Sequence, residues 1–424
     1  MVFIMIKNLI RDNSIINWAV TYLKNVFFEI CKFLILDHQR YIFLKKYILN
    51  PLNLNITKVK WLNEQDRMIL KILRNETEST VAAPNFTNET YQSRYKYRLP
   101  ELRIYKFKNV KMYPGNSAIH SEDNDCIYID KHANFGSEIA DYRGGPIVIH
   151  DNLYAITKKS KDCIQVEDGY YLGLNGYLNF YHFLIEIFGT IIYLGENGRE
   201  HIKRIFIPSD ALNILQFREI LDIAKIKYGL SFNFIPKSSI HFKNLYYINC
   251  PHILPFNTRN GEYAPSHSVF DLNLIDKIKN LVIENNQVTN LEYGTNIFLC
   301  RRSKNRIYNQ DEIFKHLETR GFQKVFLEDH SIYAQAIIFQ KARIIVGPTG
   351  AEWTNLLFVS SGTKALCWMA RKLKEFSVFS TIADHNGCEL RYLTYKTSNN
   401  NTYRAKYRLL PSDIISKLDE MRID

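Results

Sequence analysis

Apolar and polar positions alternate regularly through the second half of the chain. Short apolar runs rich in β-branched residues are bounded by polar residues, which is the pattern of buried strands. Amphipathic runs that predict helices separate these strands. One helix is predicted over 309–320, where it begins with a polar cap, and another over 332–342, where Ser331 is the cap. The predicted strands lie at 296–302, 324–328, 343–346 and 363–369. Strands that alternate with helices in this way predict a parallel sheet with right-handed crossovers.

The region of residues 100–275 mixes strand and helix patterns, which predicts a first α/β half ahead of this sheet. An almost wholly apolar run at 179–194 predicts a buried helix, and another helix is predicted near 210–226. Short apolar runs such as PIVIH, RIFIP and LYYINC predict its strands. We expect 271–284 to bridge into the second half and 411–421 to pack back across it.

The most informative junction lies at the end of the third predicted strand. A β-branched run breaks at Gly347 and Pro348, and Thr349, Gly350 and Ala351 lead into a predicted helix. Such a junction directs unpaired backbone N–H groups and the positive end of a helix dipole toward one point. The pattern therefore predicts an anion site, with phosphate as the natural ligand.

Arginines follow the first of these strands. Arg301 and Arg302 end it, Arg306 lies in the next loop, and Asn309 opens the following helix. Because the carboxyl ends of parallel strands meet at one edge, we expect Arg301 and the Gly347 turn to face one pocket. A guanidinium offers a planar fork of donors that matches a diphosphate. Arg302 and Arg306 either add to this site or only solvate the loop.

Two polar residues follow the glycine turn. A carboxylate beside a diphosphate would repel it, so we hypothesise that Glu352 accepts hydrogen bonds from ribose or sugar hydroxyls. The alternative is that Glu352 only favours the helix dipole. Asn355 either hydrogen-bonds the donor or has a structural capping role.

Ionisable residues interrupt the apolar run of the first half. His182 and Glu186 are four residues apart, so on a helix their side chains share one face. One interpretation is a buried pair that stabilises the helix. The other is a general base with an orienting neighbour, since burial raises the pKa of a carboxylate toward the working pH. The residues alone leave both open.

Three ordered blocks together resemble the family 61 glycosyltransferases of bacterial capsular and surface polysaccharide synthesis. The first block contains Asn179, Tyr181, His182 and Glu186, and the others are 300–312 and 346–358. Many relatives carry Asp where this chain has Glu186. Many also read Gly-x-His-Gly-Ala-Gly in the last block, where this chain has Thr349 and Glu352. A catalytic role for that histidine therefore cannot apply here.

The resemblance implies an α/β fold of the GT-B type, in which two Rossmann-like domains face each other across a cleft. It also implies inverting, metal-independent transfer, with the acceptor bound mainly by the first domain, where Asn179 and Tyr181 lie, and the nucleotide sugar by the second. The expected division is a helical extension and connector at 1–95, an acceptor-side domain at 96–275, a donor domain at 276–400 and a C-terminal helix at 401–424.

The predicted reaction moves a sugar from a nucleotide-sugar donor, with a UDP-sugar favoured, to a glycan or lipid-linked glycan acceptor in capsule or lipopolysaccharide synthesis. Glu186, helped by His182, would remove a proton from the acceptor hydroxyl. Arg301 and the turn N–H groups would stabilise the leaving diphosphate. No cofactor is expected, and the chain lacks the His-Glu-x-x-His and Cys-x-x-Cys metal motifs.

The formal net charge of +12 fits nucleotide phosphates or an anionic membrane. Nucleic-acid binding is disfavoured because no known nucleic-acid-binding motif occurs. The seven cysteines are scattered without paired spacing, which favours a reducing compartment and a cytoplasmic location. A catalytically silent scaffold protein is the main alternative. A nicotinamide-dependent oxidoreductase ranks lower because no Gly-x-Gly-x-x-Gly turn occurs.

The N-terminal region carries apolar residues at helical spacing over 15–34, which predicts an amphipathic helix. Charged residues interrupt every window of about 20 residues, so no membrane span is predicted. Residues 1–50 either rest on an anionic membrane face or form an ordinary helix against the core. Residues 74–94 are rich in Thr and Asn and are expected to form an exposed connector.

Overall fold

A computed structural model describes residues 14–86, 92–123, 125–130, 144–159, 163–197, 200, 204–254, 263–286, 288, 291–302, 306–397 and 405–421. In chain order its strands are β1 Leu54–Trp61, β2 Ile69–Arg74, β3 Thr77–Ala82, β4 Arg94–Leu99, β5 Leu102–Tyr113, β6 Asn116–Ser121, β7 Cys126–Ile129, β8 Ile147–His150, β9 Tyr154–Lys158, β10 Cys163–Tyr171, β11 Ile205–Pro208, β12 Phe232–Ile235, β13 Ser239–Ile248, β14 Asn296–Leu299, β15 Gln323–Val325, β16 Ile344–Pro348, β17 Lys364–Ala370 and β18 Glu389–Tyr395. Its helices are Ser14–Leu34, His38–Phe43, Phe180–His182, Phe188–Asn197, Leu215–Tyr228, Leu272–Glu284, Gln310–Glu318, Ile332–Lys341, Val378–His385 and Pro411–Glu420, with π-helical segments at Leu44–Leu49 and Phe183–Ile187.

The larger sheet has the strand order β12-β11-β10-β13-β5-β6-β7-β1-β9-β8, with β2 paired to β5. Strands β12, β11, β10 and β13 run parallel to one another. From β13 onward most pairs are antiparallel, beginning with β13 on β5. This half is therefore a short parallel sheet extended by a long antiparallel one, and the extension was not expected from the sequence.

The smaller sheet has the order β15-β14-β16-β17-β18. All four pairings are parallel, which confirms the parallel sheet predicted for the second half. Two of its strands are shorter than predicted. β14 ends at Leu299, so Arg301 and Arg302 follow the strand, and β15 ends at Val325 before a 3-10 turn at Leu327–Asp329.

Helices form the layer between the two sheets and share one apolar core with both. The helices Leu215–Tyr228 and Leu272–Glu284 of the first half pack against Ile332–Lys341 of the second. The Gln216 amide donates to the backbone oxygen of His330 at 2.5 Å across this contact. Because the buried apolar cluster is continuous from Leu102 to Tyr392, the two sheets are held as one packed body. The fold is a mixed α/β structure.

The N-terminal region differs from the helical extension expected over residues 1–95. Ser14–Leu34 is helical as predicted, but β1 pairs with β7 and β9 inside the larger sheet. Residues 1–13 and 87–91 of that prediction lie outside the described residues. The alternating run LNITKVKW has the pattern of a strand. It was included in the helical extension because it directly follows the predicted helix. The domain boundaries themselves remain predictions.

The expected exposed connector at 74–94 is instead a paired structure in its described part. Strands β3 and β4 form an antiparallel hairpin that buries Ser79 and Val81. The hairpin is bonded to the second half: the Ser380 hydroxyl donates to Ala82 O at 2.7 Å. The connector was predicted from the Thr-rich composition of this segment. Thr also favours strands when one face of the strand is buried, which is the case in this hairpin. Among the described helices, none combines the length and the apolar character needed to cross a membrane.

Candidate active site

The glycine turn lies between β16 and a 3-10 helix, Ala351–Phe358, where the sequence predicted a helix of unspecified type. A side chain on Gly347 would place Cβ 2.8 Å from Leu299 Cβ, so only glycine allows the neighbouring strand so close. Thr349 N–H donates to Trp368 O at 2.8 Å, and Trp353 Nε1–H donates to Pro348 O at 2.7 Å. These bonds fix the turn at the carboxyl edge of the smaller sheet.

Arg301 and Glu352, two predicted donor-binding residues, bond to each other. The Arg301 Nε and Nη2 groups donate to Glu352 Oε1 at 2.9 and 2.6 Å, and Nη2 also donates to Thr349 O. The side chains are 11% and 20% exposed. Burial alone would lower the pKa of Arg301, but the Glu352 carboxylate raises it above its ordinary value. Arg301 is thus a fixed cation that braces the turn.

Gly350 lies directly against the Arg301–Glu352 ion pair. A Cβ atom there would lie 2.1 Å from Arg301 Nη2 and 2.3 Å from Glu352 Oε2. The Gly350 φ of 178° is extended backbone that any residue adopts, so a preference for glycine here comes from the ion pair that crosses it. The sequence showed the glycine, but its cause needed the fold.

The other two arginines also lie beside the turn. Arg306 Nη1 donates to Thr349 O at 2.9 Å. Arg302 is half exposed, pairs with Asp329, and its guanidinium lies 4.3 Å from the centroid of the Phe326 ring. Both therefore have protein partners while remaining at the edge where a ligand phosphate would bind.

The two predicted asparagines of the second half bond within the protein. Asn309 Nδ2 donates to Glu312 Oε2 and to Leu409 O, each at 2.8 Å, so it holds the C-terminal segment. Asn355 is fully buried and its amide donates to Gln335 Oε1 at 2.9 Å. The neighbouring Gln310, which the sequence analysis did not identify, contacts the site: the Arg301 backbone N–H donates to Gln310 Oε1 at 2.8 Å.

His182 and Glu186 lie on the predicted helix, and their side chains meet. Nδ1 of His182 is 2.8 Å from Glu186 Oε1, and the side chains are 8% and 16% exposed. Glu186 lies within the π-helical segment Phe183–Ile187. Such segments are uncommon and frequently occur at functional sites. Gly176 packs on the imidazole, because a Cβ there would lie 2.6 Å from His182 Cδ2.

Asn179 and Tyr181 begin this helix. Asn179 Oδ1 accepts from Tyr181 N–H at 3.0 Å and from His182 N–H at 3.4 Å, which is an N-terminal cap. Tyr181 is buried, packs edge-on against His182, and lies 6.3 Å from the Phe379 ring of the second half. Burial, then the Glu186 carboxylate and Cys250, raise the pKa of Tyr181. Cys250, which no motif in the sequence indicated, therefore acts electrostatically on Tyr181, and its own pKa is raised first by burial and then by Glu186.

A cleft of about 290 Å³ joins these two regions. Its lining combines a residue of the first half with the turn and arginines of the second: Asn179, Leu299, Cys300, Arg301, Arg302, Arg306, Leu327, Glu328, Ala351 and Glu352. The helix start that carries His182 packs directly against Ala351–Phe358. The predicted acceptor-side and donor-side blocks are therefore neighbours, although His182 and Glu186 do not themselves line this cleft.

A larger cleft of about 560 Å³ lies at the amino ends of β16 and β17, beside Arg343 and Lys364. We assign the candidate site to the smaller one, because ligands of parallel α/β sheets bind at the carboxyl ends of the strands. Among the described residues, no three His, Cys, Asp or Glu side chains are grouped closely enough to hold a metal ion.

Residues 180–366 of the 424 match the model of the family described as Glycosyltransferase 61. A search of curated proteins finds no match. The matched segment contains the His182–Glu186 pair, the Arg301–Glu352 pair and the glycine turn. The match supports the resemblance noted in the sequence and indicates that the protein is a glycosyltransferase enzyme.

Proposed function

We propose that this glycosyltransferase is an inverting, metal-independent enzyme that transfers a sugar from a UDP-sugar to a glycan or lipid-linked glycan. The observation that carries the proposal is the cleft in which Asn179, at the start of the His182 helix, adjoins three arginines of the second half. The two sheets would then be the acceptor and donor halves of a GT-B arrangement. The resemblance to bacterial members supports capsule or lipopolysaccharide as the product.

The donor would bind through its diphosphate at the carboxyl edge of the smaller sheet. Three arginines and two glutamates line the cleft, so the lining carries a net positive charge. As the bond to the sugar breaks, negative charge grows on the diphosphate. Cations already fixed by Glu352 and Thr349 O would stabilise that charge without reorganising. This is the role that a divalent ion has in other transferases.

The acceptor would be activated by Glu186. Its Oε1 accepts from His182 Nδ1–H, and within the described residues its Oε2 has no hydrogen-bond partner. Oε2 would take the proton of the acceptor hydroxyl while that oxygen bonds to the anomeric carbon and the diphosphate leaves with the bonding electrons. His182 would act as a positioning residue that holds the carboxylate. A single displacement of this kind inverts the anomeric centre.

The test is calorimetric titration of the protein with UDP, GDP and CMP in the presence of a chelator. Arg302→Ala should weaken binding of the preferred nucleotide about tenfold or more, since hydrogen bonds to charged groups contribute about 1.5–3 kcal/mol. Arg320→Ala is the matched control, because Arg320 also pairs with an aspartate, Asp419, but does not line the cleft.

Nucleotide binding that requires added Mg²⁺ would contradict metal independence. Equal affinity in both variants would remove Arg302 from the donor site. If the wild-type protein binds none of these nucleotides, the alternative of a catalytically silent scaffold is favoured.

A further inference from the structure

The N-terminal helix Ser14–Leu34 is fixed to the protein by one face only. Phe28 and Cys31 are buried, and the helix packs on β8. Lys32 Nζ donates to Asp151 Oδ2 at 2.8 Å and secures the same face. The helix is therefore held in a defined orientation on the larger sheet, with its opposite face outward.

The outward face is apolar. Trp18 is 67% exposed and Phe33 is 59% exposed, and Tyr22, Val26 and Ile30 between them are exposed as well. Their spacing of three or four residues places them in one stripe. Trp18 and Tyr22 stack with ring centroids 5.5 Å apart on the surface. A surface helix of a globular protein normally directs polar residues to water, so this stripe needs a partner.

The apolar surface continues into the next helical segment, residues 38–49. Ile42, Phe43 and Tyr47 are more than half exposed there. The Arg40 guanidinium lies 5.3 Å from the centroid of the Phe33 ring, which joins the two segments. We call the exposed apolar and basic residues of 18–47 the N-terminal patch.

The charges around the patch are mainly positive. Its exposed basic residues are Lys24, Arg40, Lys45 and Lys46. Lys46 Nζ lies 5.0 Å from the centroid of the Tyr47 ring, so this charge adjoins the aromatic surface. The two acidic residues within 18–47 have local partners: Glu29 pairs with Lys32, and Asp37 accepts from Arg40 N–H.

We propose that the N-terminal patch docks on an anionic lipid bilayer and lies in its interface. Aromatic rings combined with flanking cations suit the boundary between head groups and acyl chains. The charge favours lipid over a second copy of this chain, because a symmetric dimer would bring the same cations face to face. The proposal is independent of the transfer reaction, since the patch lies outside the candidate cleft.

The experiment is co-sedimentation with vesicles of phosphatidylcholine alone and vesicles that also contain phosphatidylglycerol. The wild-type protein should sediment with the anionic vesicles and stay in solution with the neutral ones. Lys45→Gln with Lys46→Gln should lower the partition coefficient about 30-fold at low salt, at about 1 kcal/mol for each cation near the surface. Trp18→Ser with Phe33→Ser should lower it about tenfold or more.

Ile226→Ser is the matched control, because Ile226 is 75% exposed on the helix Leu215–Tyr228 and lies outside the patch. It should bind as the wild-type protein does, and all variants should keep the wild-type melting temperature. Absence of wild-type binding to anionic vesicles overturns the proposal, and so does binding that the patch variants retain. A dimer in sedimentation velocity that Trp18→Ser with Phe33→Ser dissociates, without vesicle binding, would assign the patch to a second copy.

Discussion

The Arg301–Glu352 pair allows a quantitative test of how the candidate site is held together. Replacing either residue with alanine leaves the other charge in a largely enclosed position, since the side chains are only 11% and 20% exposed. Arg301→Ala also removes the donors to Thr349 O and Pro348 O. The double variant leaves neither charge unpaired, so its cost should be smaller than the sum of the single costs.

The expected magnitudes follow from this burial. Breaking a buried pair by removing one partner costs about 3–5 kcal/mol, whereas exposed pairs contribute about 1 kcal/mol or less. The residual exposure of Glu352 places this pair toward the lower end, about 3 kcal/mol for each single variant. We expect the coupling energy in the double-mutant cycle to be about 2 kcal/mol.

The assay is urea unfolding of the wild-type protein and the three variants, followed by tryptophan fluorescence. Trp353 and Trp368 are fully buried beside the turn and report on it directly. Arg320→Ala with Asp419→Ala gives a matched cycle for a more exposed pair, and its coupling should stay below about 1 kcal/mol. A coupling energy for Arg301 and Glu352 that is no larger than this control would refute the structural account of the turn.

Two further predictions concern the same fold. Gly350→Ala should destabilise the wild-type protein by about 1–3 kcal/mol, because the new Cβ would lie 2.1 Å from Arg301 Nη2. The same substitution should destabilise the Arg301→Ala, Glu352→Ala variant much less, since the ion pair is gone. Equal destabilisation in both backgrounds would show that the ion pair is not the cause. Burial lowers the pKa of His252 to about 4, so the unfolded chain binds the extra proton as pH falls below its ordinary value near 6.5. The free energy of unfolding should therefore drop by about 3 kcal/mol between pH 6.5 and 4 through this residue. In His252→Asn the urea unfolding midpoint should depend less on pH in that range than in the wild-type protein. The same pH dependence in both proteins would contradict the assignment.

The smaller sheet could be predicted from the sequence because each signal in it is local. Glycine and serine caps, β-branched runs and helix-length spacers all fall within one βαβ unit at a time, and the predicted bounds of β16 and β17 lie within two residues of the observed ones. The larger sheet could not, because its antiparallel pairs join distant segments. β1 pairs with β9 about 100 residues away, and nothing in either segment alone specifies that partner.

The candidate site shows the same division. The spacing of His182 and Glu186 was sufficient to predict their contact, since helical periodicity is local. The bond between Arg301 and Glu352 joins a residue after β14 to one after β16, so the sequence indicated both residues but assigned them separate tasks. The electrostatic effect of Cys250 on Tyr181 could not be predicted, because a lone cysteine after an apolar strand carries no pattern.

The central claim is that Glu186 is the base of a metal-independent transfer. The most direct test measures UDP release from a panel of UDP-sugars, with oligosaccharide acceptors and a chelator, for the wild type, Glu186→Gln and Glu196→Gln. Glu196 lies on the same helical run but pairs with Lys277, so its variant controls for loss of a carboxylate.

We expect Glu186→Gln to lose about 10²–10⁴-fold in acceptor-dependent turnover while it keeps UDP affinity and melting temperature, and Glu196→Gln to retain the wild-type rate. Turnover of Glu186→Gln at the wild-type rate would contradict the account, and so would a joint loss of turnover, nucleotide binding and thermal stability.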